Sequence, residues 1–196
     1  MASTLKLDYS LFFGYMKTMY KLDYQYVTTA FYLREQSSGN SCEIDSAEMV
    51  VDNKRELIEF EKEGQLLPFY SDEHRKDGAK VEVNTVKADA CKLQVTIMAK
   101  ESELTALSFG KLTLINTQLE GVLRKNAGMI GKYFLPSYSG SRFKLVQPLA
   151  IDVVLPDGYS VAENGDLLIT SEALAQADPS QLLTYQVSRI TPWMEL

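Results

Sequence analysis

The spacing of hydrophobic residues changes early in the chain from a helical period to a two-residue period. The segment DYSLFFGYMKTMYKL has apolar residues at intervals of three and four, which predicts an amphipathic N-terminal helix: Phe12, Tyr15, Met16, Met19 and Leu22. In the next segment, YVTTAFYLRE, successive side chains alternate between two faces, and the turn residues SSGN follow. This segment therefore predicts a β-strand.

The two-residue alternation recurs through most of the chain. A hairpin turn is predicted at EKEGQ, before the short apolar segment LLPF. Further strands are predicted in seven segments: CEIDSAEMVV, RELIEF, AKVEVNTV, CKLQVTIMAK, RFKLVQPLAIDVVLP, GDLLIT and TYQVSRI.

A second helical pattern opens the second half of the chain. Its apolar residues repeat at three, four and seven positions: Leu112, Ile115, Leu119, Val122, Ile130 and Tyr133 or Phe134. Three glycines fall inside this pattern, and Pro136 follows it. We therefore expect an interrupted helix. A short helix capped by Ser171 is predicted in SEALAQA.

The order of these elements predicts the fold class. Strands occur in runs with helices at two main places, and they do not alternate regularly with helices. This order indicates an α+β protein with a mainly antiparallel β-sheet, an N-terminal helix and a second, interrupted helix packed on one face. The chain has 196 residues, 45% of them hydrophobic, with no repeat or linker, so we expect a single domain over residues 1–196.

Charge argues against a nucleic-acid partner, and hydropathy argues against a membrane span. The net charge is −6, and the basic stretches are short and mixed with acidic or apolar residues. Such a surface does not match a phosphate backbone, so no nucleic acid is expected as a partner. The chain has no run of about 18 apolar residues, and no membrane span is predicted.

The two cysteines, Cys42 and Cys91, allow three interpretations. A zinc site needs about four ligands, usually in close pairs, and His74 is the only histidine. Two buried free thiols are an ordinary core feature. A disulfide fits two cysteines at the starts of strands, and it persists only in an oxidising compartment. We favour the disulfide, with free thiols as the alternative.

Candidate catalytic residues do not form a recognisable site. The segment YSDEHRKDGAK contains Asp72, Glu73, His74 and Asp77, but it lacks the calcium-loop spacing and predicts a solvated turn. SRFK, beginning at Ser141, has the S-x-x-K spacing of penicillin-recognising enzymes, yet no K-T-G follows it. We expect no catalytic residues, no metal and no cofactor.

Aromatic residues are unusually dense in the first 32 residues. Most of their rings fit the inward faces of the predicted helix and strand. Tyr9, Tyr20 and Tyr24 fit these faces least well. Because exposed tyrosines anchor protein partners or stack on sugars, we predict these three as a candidate contact surface.

Two stretches, GQLLPFYSDEHRKDGAKVEVNT and LRKNAGMIGKYFLPSYSG, together with a cysteine on each side of the L-P-F segment, resemble a family of bacterial envelope proteins known only as a domain of unknown function. The matching residues are Cys42, Leu67, Pro68, Phe69, Cys91, Ala127, Gly128, Met129, Phe134, Pro136 and Gly140. The resemblance implies a periplasmic or secreted setting and supports the disulfide. It implies no reaction, ligand or partner.

The sequence favours a non-enzymatic soluble envelope protein that binds another protein or an envelope component of unknown identity. The first alternative is a module that binds a small ligand or a glycan through surface tyrosines. The second is a hydrolase with an unrecognised site, which would have to use His74 or paired carboxylates.

Overall fold

The structure, a computed structural model, describes residues 3–87, 90–131 and 136–195, with side chains of 129–131 left aside. The chain divides into two compact units. The first consists of Met1–Lys21 and Thr29–Thr96, and the second of Leu22–Thr28 and Ile97–Leu196. A single domain over the whole chain stays a prediction.

The elements follow in an order dominated by strands. The first ten are β1 (Ser3–Asp8), α1 (Ser10–Leu22), β2 (Val27–Glu35), β3 (Ile44–Val51), β4 (Lys54–Leu57), β5 (Glu59–Glu61), β6 (Gln65–Leu67), α2 (Asp72–Lys76), β7 (Lys80–Thr85) and β8 (Cys91–Ala99). The next six are α3 (Phe109–Gly131), β9 (Ser137–Leu145), β10 (Tyr159–Val161), β11 (Leu167–Thr170), α4 (Ser171–Gln176) and β12 (Val187–Glu195).

The strands form three four-stranded antiparallel sheets, which confirms the predicted α+β class. Their strand orders are β1-β7-β3-β4, β5-β6-β2-β8 and β10-β11-β9-β12. Among the described residues, none of the helices combines the length and the apolar content that are needed to cross a bilayer.

The core of the first unit is built on alternate residues of neighbouring strands. Val83 of β7 lies opposite Ala47 of β3, and Val81 lies opposite Met49. All four side chains are buried together with Phe12 and Phe13 of α1: they belong to one hydrophobic cluster. Each large side chain buried in this way contributes about 1.5–3 kcal/mol, so the alternation fixes the register of the sheet.

The core of the second unit lies between α3 and its sheet. α3 contacts β9 and β12. It buries side chains at helical spacing: Leu112, Ile115, Leu119 and Val122. Gly128 has φ +69° and ψ −171°, which breaks the helical conformation near the end of α3. The predicted interruption of this helix is confirmed at that glycine.

Two local predictions are wrong, and one strand, β1, was not predicted. β1 precedes α1, because Leu5 and Leu7 already alternate with polar residues. β9 ends at Leu145, and the following run VQPLAIDVVLP is an irregular segment in which Val154 is almost fully exposed. Its prolines donate no backbone N–H to a sheet. Thr170, not Ser171, caps α4, since its side chain accepts from the N–H of Ala173.

Candidate functional site

Three aromatic rings of the first unit form a stack. Phe13 and Tyr20 lie seven residues apart on α1, about 10.5 Å along the axis, which places them on one face two turns apart. The ring of Tyr70, from the loop before α2, stacks on Phe13 at 5.0 Å between centroids and 14° between planes. It stacks on Tyr20 at 5.3 Å and 9°. Tyr70 therefore fits between two helical turns, with a ring on each face.

The stack runs from the core to the surface. Phe13 is buried, Tyr70 is 37% exposed and Tyr20 is 74% exposed. The Arg75 guanidinium lies 5.2 Å from the centroid of the Phe13 ring. We call this region the α1–Tyr70 surface and define it by five side chains: Lys17, Tyr20, Lys21, Tyr70 and Arg75.

The electrostatics of Tyr70 reflect its mixed surroundings. Desolvation between the two rings raises the pKa of its hydroxyl, and the nearby Asp72 carboxylate and Tyr20 hydroxyl add to this increase. The Arg75 guanidinium acts in the opposite direction on the same pKa. Tyr70 thus stays a neutral hydroxyl at physiological pH.

The structure corrects the place of Tyr9. Its ring is fully buried in the core of the first unit. The hydroxyl donates to the carbonyl of Phe69 at 2.7 Å and accepts from the N–H of Ser71 at 2.9 Å. Burial raises the pKa of this hydroxyl. Tyr9 is a structural residue that fixes the Phe69–Ser71 loop, and it cannot contact a partner.

Tyr24 belongs to the second unit and is half-buried. Its hydroxyl lies close to Gly121 of α3: a Cβ added to that glycine would be 2.4 Å from the Tyr24 hydroxyl oxygen. Tyr24 therefore packs against α3. Of the three predicted contact residues, only Tyr20 presents its ring to solvent.

Cys42 and Cys91 form a disulfide across 49 positions of the sequence. Cys42 is buried in the core of the first unit, and Cys91 packs against the same cluster. The interpretations as free thiols or zinc ligands therefore do not apply. Among the described residues, no group of three His, Cys, Asp or Glu side chains is arranged to hold a metal ion.

His74 is more ordered than a solvated turn would allow. α2 begins at Asp72 with Ser71 as its cap, since the Ser71 hydroxyl accepts from the N–H of His74 at 3.2 Å. The imidazole Nε2 lies 3.1 Å from a Glu56 carboxylate oxygen, and Nδ1 lies 2.7 Å from the Ser71 hydroxyl. A carboxylate only accepts, so Nε2 donates to Glu56, and in the neutral imidazole Nδ1 then accepts from the Ser71 hydroxyl.

This arrangement links α2 to β4. The imidazole edge also contacts the Phe69 ring, with 5.1 Å between ring centroids. His74 and Glu56 line an open groove of about 560 Å³. Because the Ser71 hydroxyl is engaged by both the helix cap and the imidazole, we interpret the Glu56–His74–Ser71 chain as a structural connection.

The S-x-x-K spacing at Ser141 has no catalytic geometry. Ser141 is buried in β9 and donates to the Asn116 side chain at 2.7 Å, whereas Lys144 is exposed. Residues three apart on a strand project to opposite faces, so the lysine cannot lower the pKa of the serine.

The stacking partner of Tyr20 was not predicted from the sequence. Tyr70 is 50 positions away, in a loop with no periodic pattern of its own. The only sequence signal is the pair of aromatic residues seven positions apart on α1, which leaves room for an inserted ring. That signal does not identify the inserted residue.

No curated protein and no solved structure matches the chain. A family model described as a protein of unknown function, DUF2987, matches residues 1–145 and so includes both cysteines, the α1–Tyr70 surface and α3. Of the residues that carry the resemblance noted from the sequence, Phe134 lies outside the described ranges. On the extent of this match, the chain belongs to the DUF2987 family of proteins of unknown function.

Proposed function

We propose that this protein is a non-enzymatic binding protein of the periplasm or the extracellular space, and that it binds another protein through the α1–Tyr70 surface. The disulfide supports the compartment, because a Cys42–Cys91 bridge persists where thiols are not kept reduced. The α1–Tyr70 surface supports the proposed binding of a protein partner.

The observation that carries the proposal is the Tyr20 ring. It is largely exposed, yet it is held parallel to the Tyr70 ring. A large ring fixed before binding loses little side-chain entropy in a complex. Tyrosine and arginine are enriched among the residues that dominate binding energy at protein interfaces, and this surface contains both.

The ring geometry favours a protein over a glycan as the partner. A glycan-binding platform presents several exposed ring faces side by side. Here both faces of Tyr70 are covered by other rings and Phe13 is buried, so Tyr20 alone offers a free face. The surface therefore resembles a single aromatic anchor with polar neighbours.

Site-specific photo-crosslinking tests this proposal. The full chain is expressed in cells of its source organism with benzoylphenylalanine at position 20. The matched control carries it at position 57, where Leu57 is also exposed on the first unit but belongs to β4. We expect a discrete protein adduct at position 20 and none at position 57. Equal labelling at both positions, or none at position 20, would overturn the proposal.

A further inference from the structure

The α1–Tyr70 surface carries cations that lack carboxylate partners. α1 contains Lys17 and Lys21 and no acidic residue. In the described part of the chain, no carboxylate oxygen lies within 4.0 Å of Lys17, Lys21 or Arg75. Elsewhere in the same unit, Lys6 and Arg55 form ion pairs with Glu82.

The cations lie along the aromatic stack, two beside the exposed ring of Tyr20 and one at the buried end. Lys17 lies three residues before Tyr20 and four before Lys21, so the three side chains are neighbours on the helix surface. Arg75 reaches the other end of the stack over Phe13. Two like charges at positions i and i+4 destabilise a helix, and among the described residues no carboxylate lies within ion-pairing distance of either lysine to offset this repulsion.

The charge of the α1–Tyr70 surface is opposite in sign to the net charge of the protein. The net charge of the protein is −6, so carboxylates are abundant. The charged groups that act on the Tyr70 hydroxyl are Asp72 and Arg75, which have opposite signs, and Lys17 and Lys21 add two positive charges on α1. The surface is locally basic on an acidic protein, which matches an anionic partner.

We infer that the partner binds the α1–Tyr70 surface through an acidic segment. Its carboxylates pair with Lys17, Lys21 and Arg75, and an apolar side chain covers the free face of Tyr20. This inference rests on the proposed function and names the chemistry of the partner. An acidic polysaccharide is the competing source of carboxylates, and the single free ring face disfavours it.

The test repeats crosslinking from position 20 in charge variants of the full chain. The reversal K17E/K21E is compared with the conservative pair K17R/K21R. A matched reversal, K54E/K62E, changes two exposed lysines elsewhere on the first unit. We expect the adduct to fall at least tenfold in K17E/K21E and to persist in the other two. Circular dichroism of each purified variant confirms that α1 is retained.

The results separate this inference from the proposed function. A K17E/K21E adduct as strong as that of the unchanged chain overturns the acidic partner and leaves the binding surface in place. An adduct missing from every chain overturns the proposed function itself. Mass spectrometry of the crosslinked peptide gives the second readout, and a segment without acidic residues overturns the inference.

Two competitors distinguish the sources of carboxylate. Poly-glutamate and poly-galacturonate carry similar charge on a peptide and a sugar backbone. Each polymer is added in excess to a mixture of the purified protein and the partner that crosslinking has identified, before illumination. Stronger competition by poly-glutamate supports the inference. Competition by poly-galacturonate alone assigns the surface to a glycan and overturns it.

Discussion

Gly64 occupies a position in which the backbone and the surroundings both require glycine. Its φ of +73° lies in the left-handed region. A Cβ there would lie 2.7 Å from the carbonyl oxygen of Leu33 and 2.8 Å from that of Cys42. The hairpin turn between β5 and β6 is therefore held directly against the backbone of a disulfide cysteine.

Replacing Gly64 with alanine should cost more free energy than the left-handed backbone conformation alone would cause. Gly39 has the same φ of +73° but no atom within 4 Å of a Cβ position. The change G39A should lower the free energy of unfolding by about 1–2 kcal/mol. G64A should lower it further, because the added methyl group meets two carbonyl oxygens. Urea unfolding compares them, and equal losses would contradict the close approach.

The Tyr9 hydroxyl makes two hydrogen bonds inside the first unit. The change Y9F leaves the Ser71 N–H and the Phe69 carbonyl without this partner, which should cost about 1–3 kcal/mol. Y20F removes an exposed hydroxyl and should stay within about 0.5 kcal/mol of the unchanged protein. Thermal unfolding of both variants measures the difference. A loss as small for Y9F as for Y20F would count against the buried network.

The same hydroxyl predicts a pH dependence. Burial raises the pKa of Tyr9 above its ordinary value of 10.0, so the folded state keeps a proton that the unfolded state loses. This contribution is complete below pH 10 and is lost as the pH rises through the folded pKa. Above about pH 10, the free energy of unfolding should fall less steeply in Y9F than in the unchanged protein. If the free energy of unfolding varied with pH in the same way in both proteins, Tyr9 would be excluded as a source of the pH dependence.

At the scale of elements, two helical glycines have opposite roles. Gly14 lies inside α1 with helical geometry and open space around a Cβ position. G14A should raise the free energy of unfolding by about 0.8–1 kcal/mol. Gly128 has φ +69° and ψ −171°, a region that only glycine adopts readily, so G128A should lower it by about 1–3 kcal/mol.

Denaturant unfolding of G14A and G128A measures both effects in otherwise identical chains. The important result is whether each change raises or lowers the free energy of unfolding. Stabilisation by both changes would mean that Gly128 accepts a continuous α3 without strain.

Periodicity predicted most elements because it reports which side chains face the core. β3, β7 and β8 follow the two-residue alternation, whereas β2 buries side chains on both faces, and the break of α3 follows from Gly128. The run after Leu145 misled the prediction because its apolar residues are exposed in an irregular segment. Apolar composition alone does not distinguish a buried strand from such a segment.

The division into three sheets and the aromatic stack could not be predicted in the same way. Both depend on contacts between residues far apart in sequence, such as Tyr20 with Tyr70. The burial of Tyr9 had a similar cause, since the backbone groups that bind its hydroxyl lie about 60 positions away. The local pattern of apolar residues identifies which face of a helix or strand is turned to the core. Contacts between residues far apart in sequence decide which polar groups become buried.

At the scale of the whole molecule, the disulfide closes a covalent loop within the first unit. A bridge across 49 positions restricts the unfolded chain and should contribute about 4 kcal/mol to the free energy of unfolding. The double change C42A/C91A should lose about this amount. Each single change should lose a similar amount, because either one abolishes the bridge.

Thiol counting on denatured protein from an oxidising compartment checks the bridge directly. Two thiols should react only after reduction. Two thiols that react without reductant would show that the bridge does not form there, and the support for the proposed compartment would be lost.

The strand order of the second unit has a practical consequence for anyone expressing the family segment alone. The matched region ends at residue 145, the last residue of β9. β9 lies between β11 and β12, and both of these strands come later in the chain. A truncated product ending there would expose both hydrogen-bonding edges of a buried strand, which is a template for aggregation. Inclusion bodies from such a fragment would reflect missing neighbours and would say nothing about the stability of the intact protein.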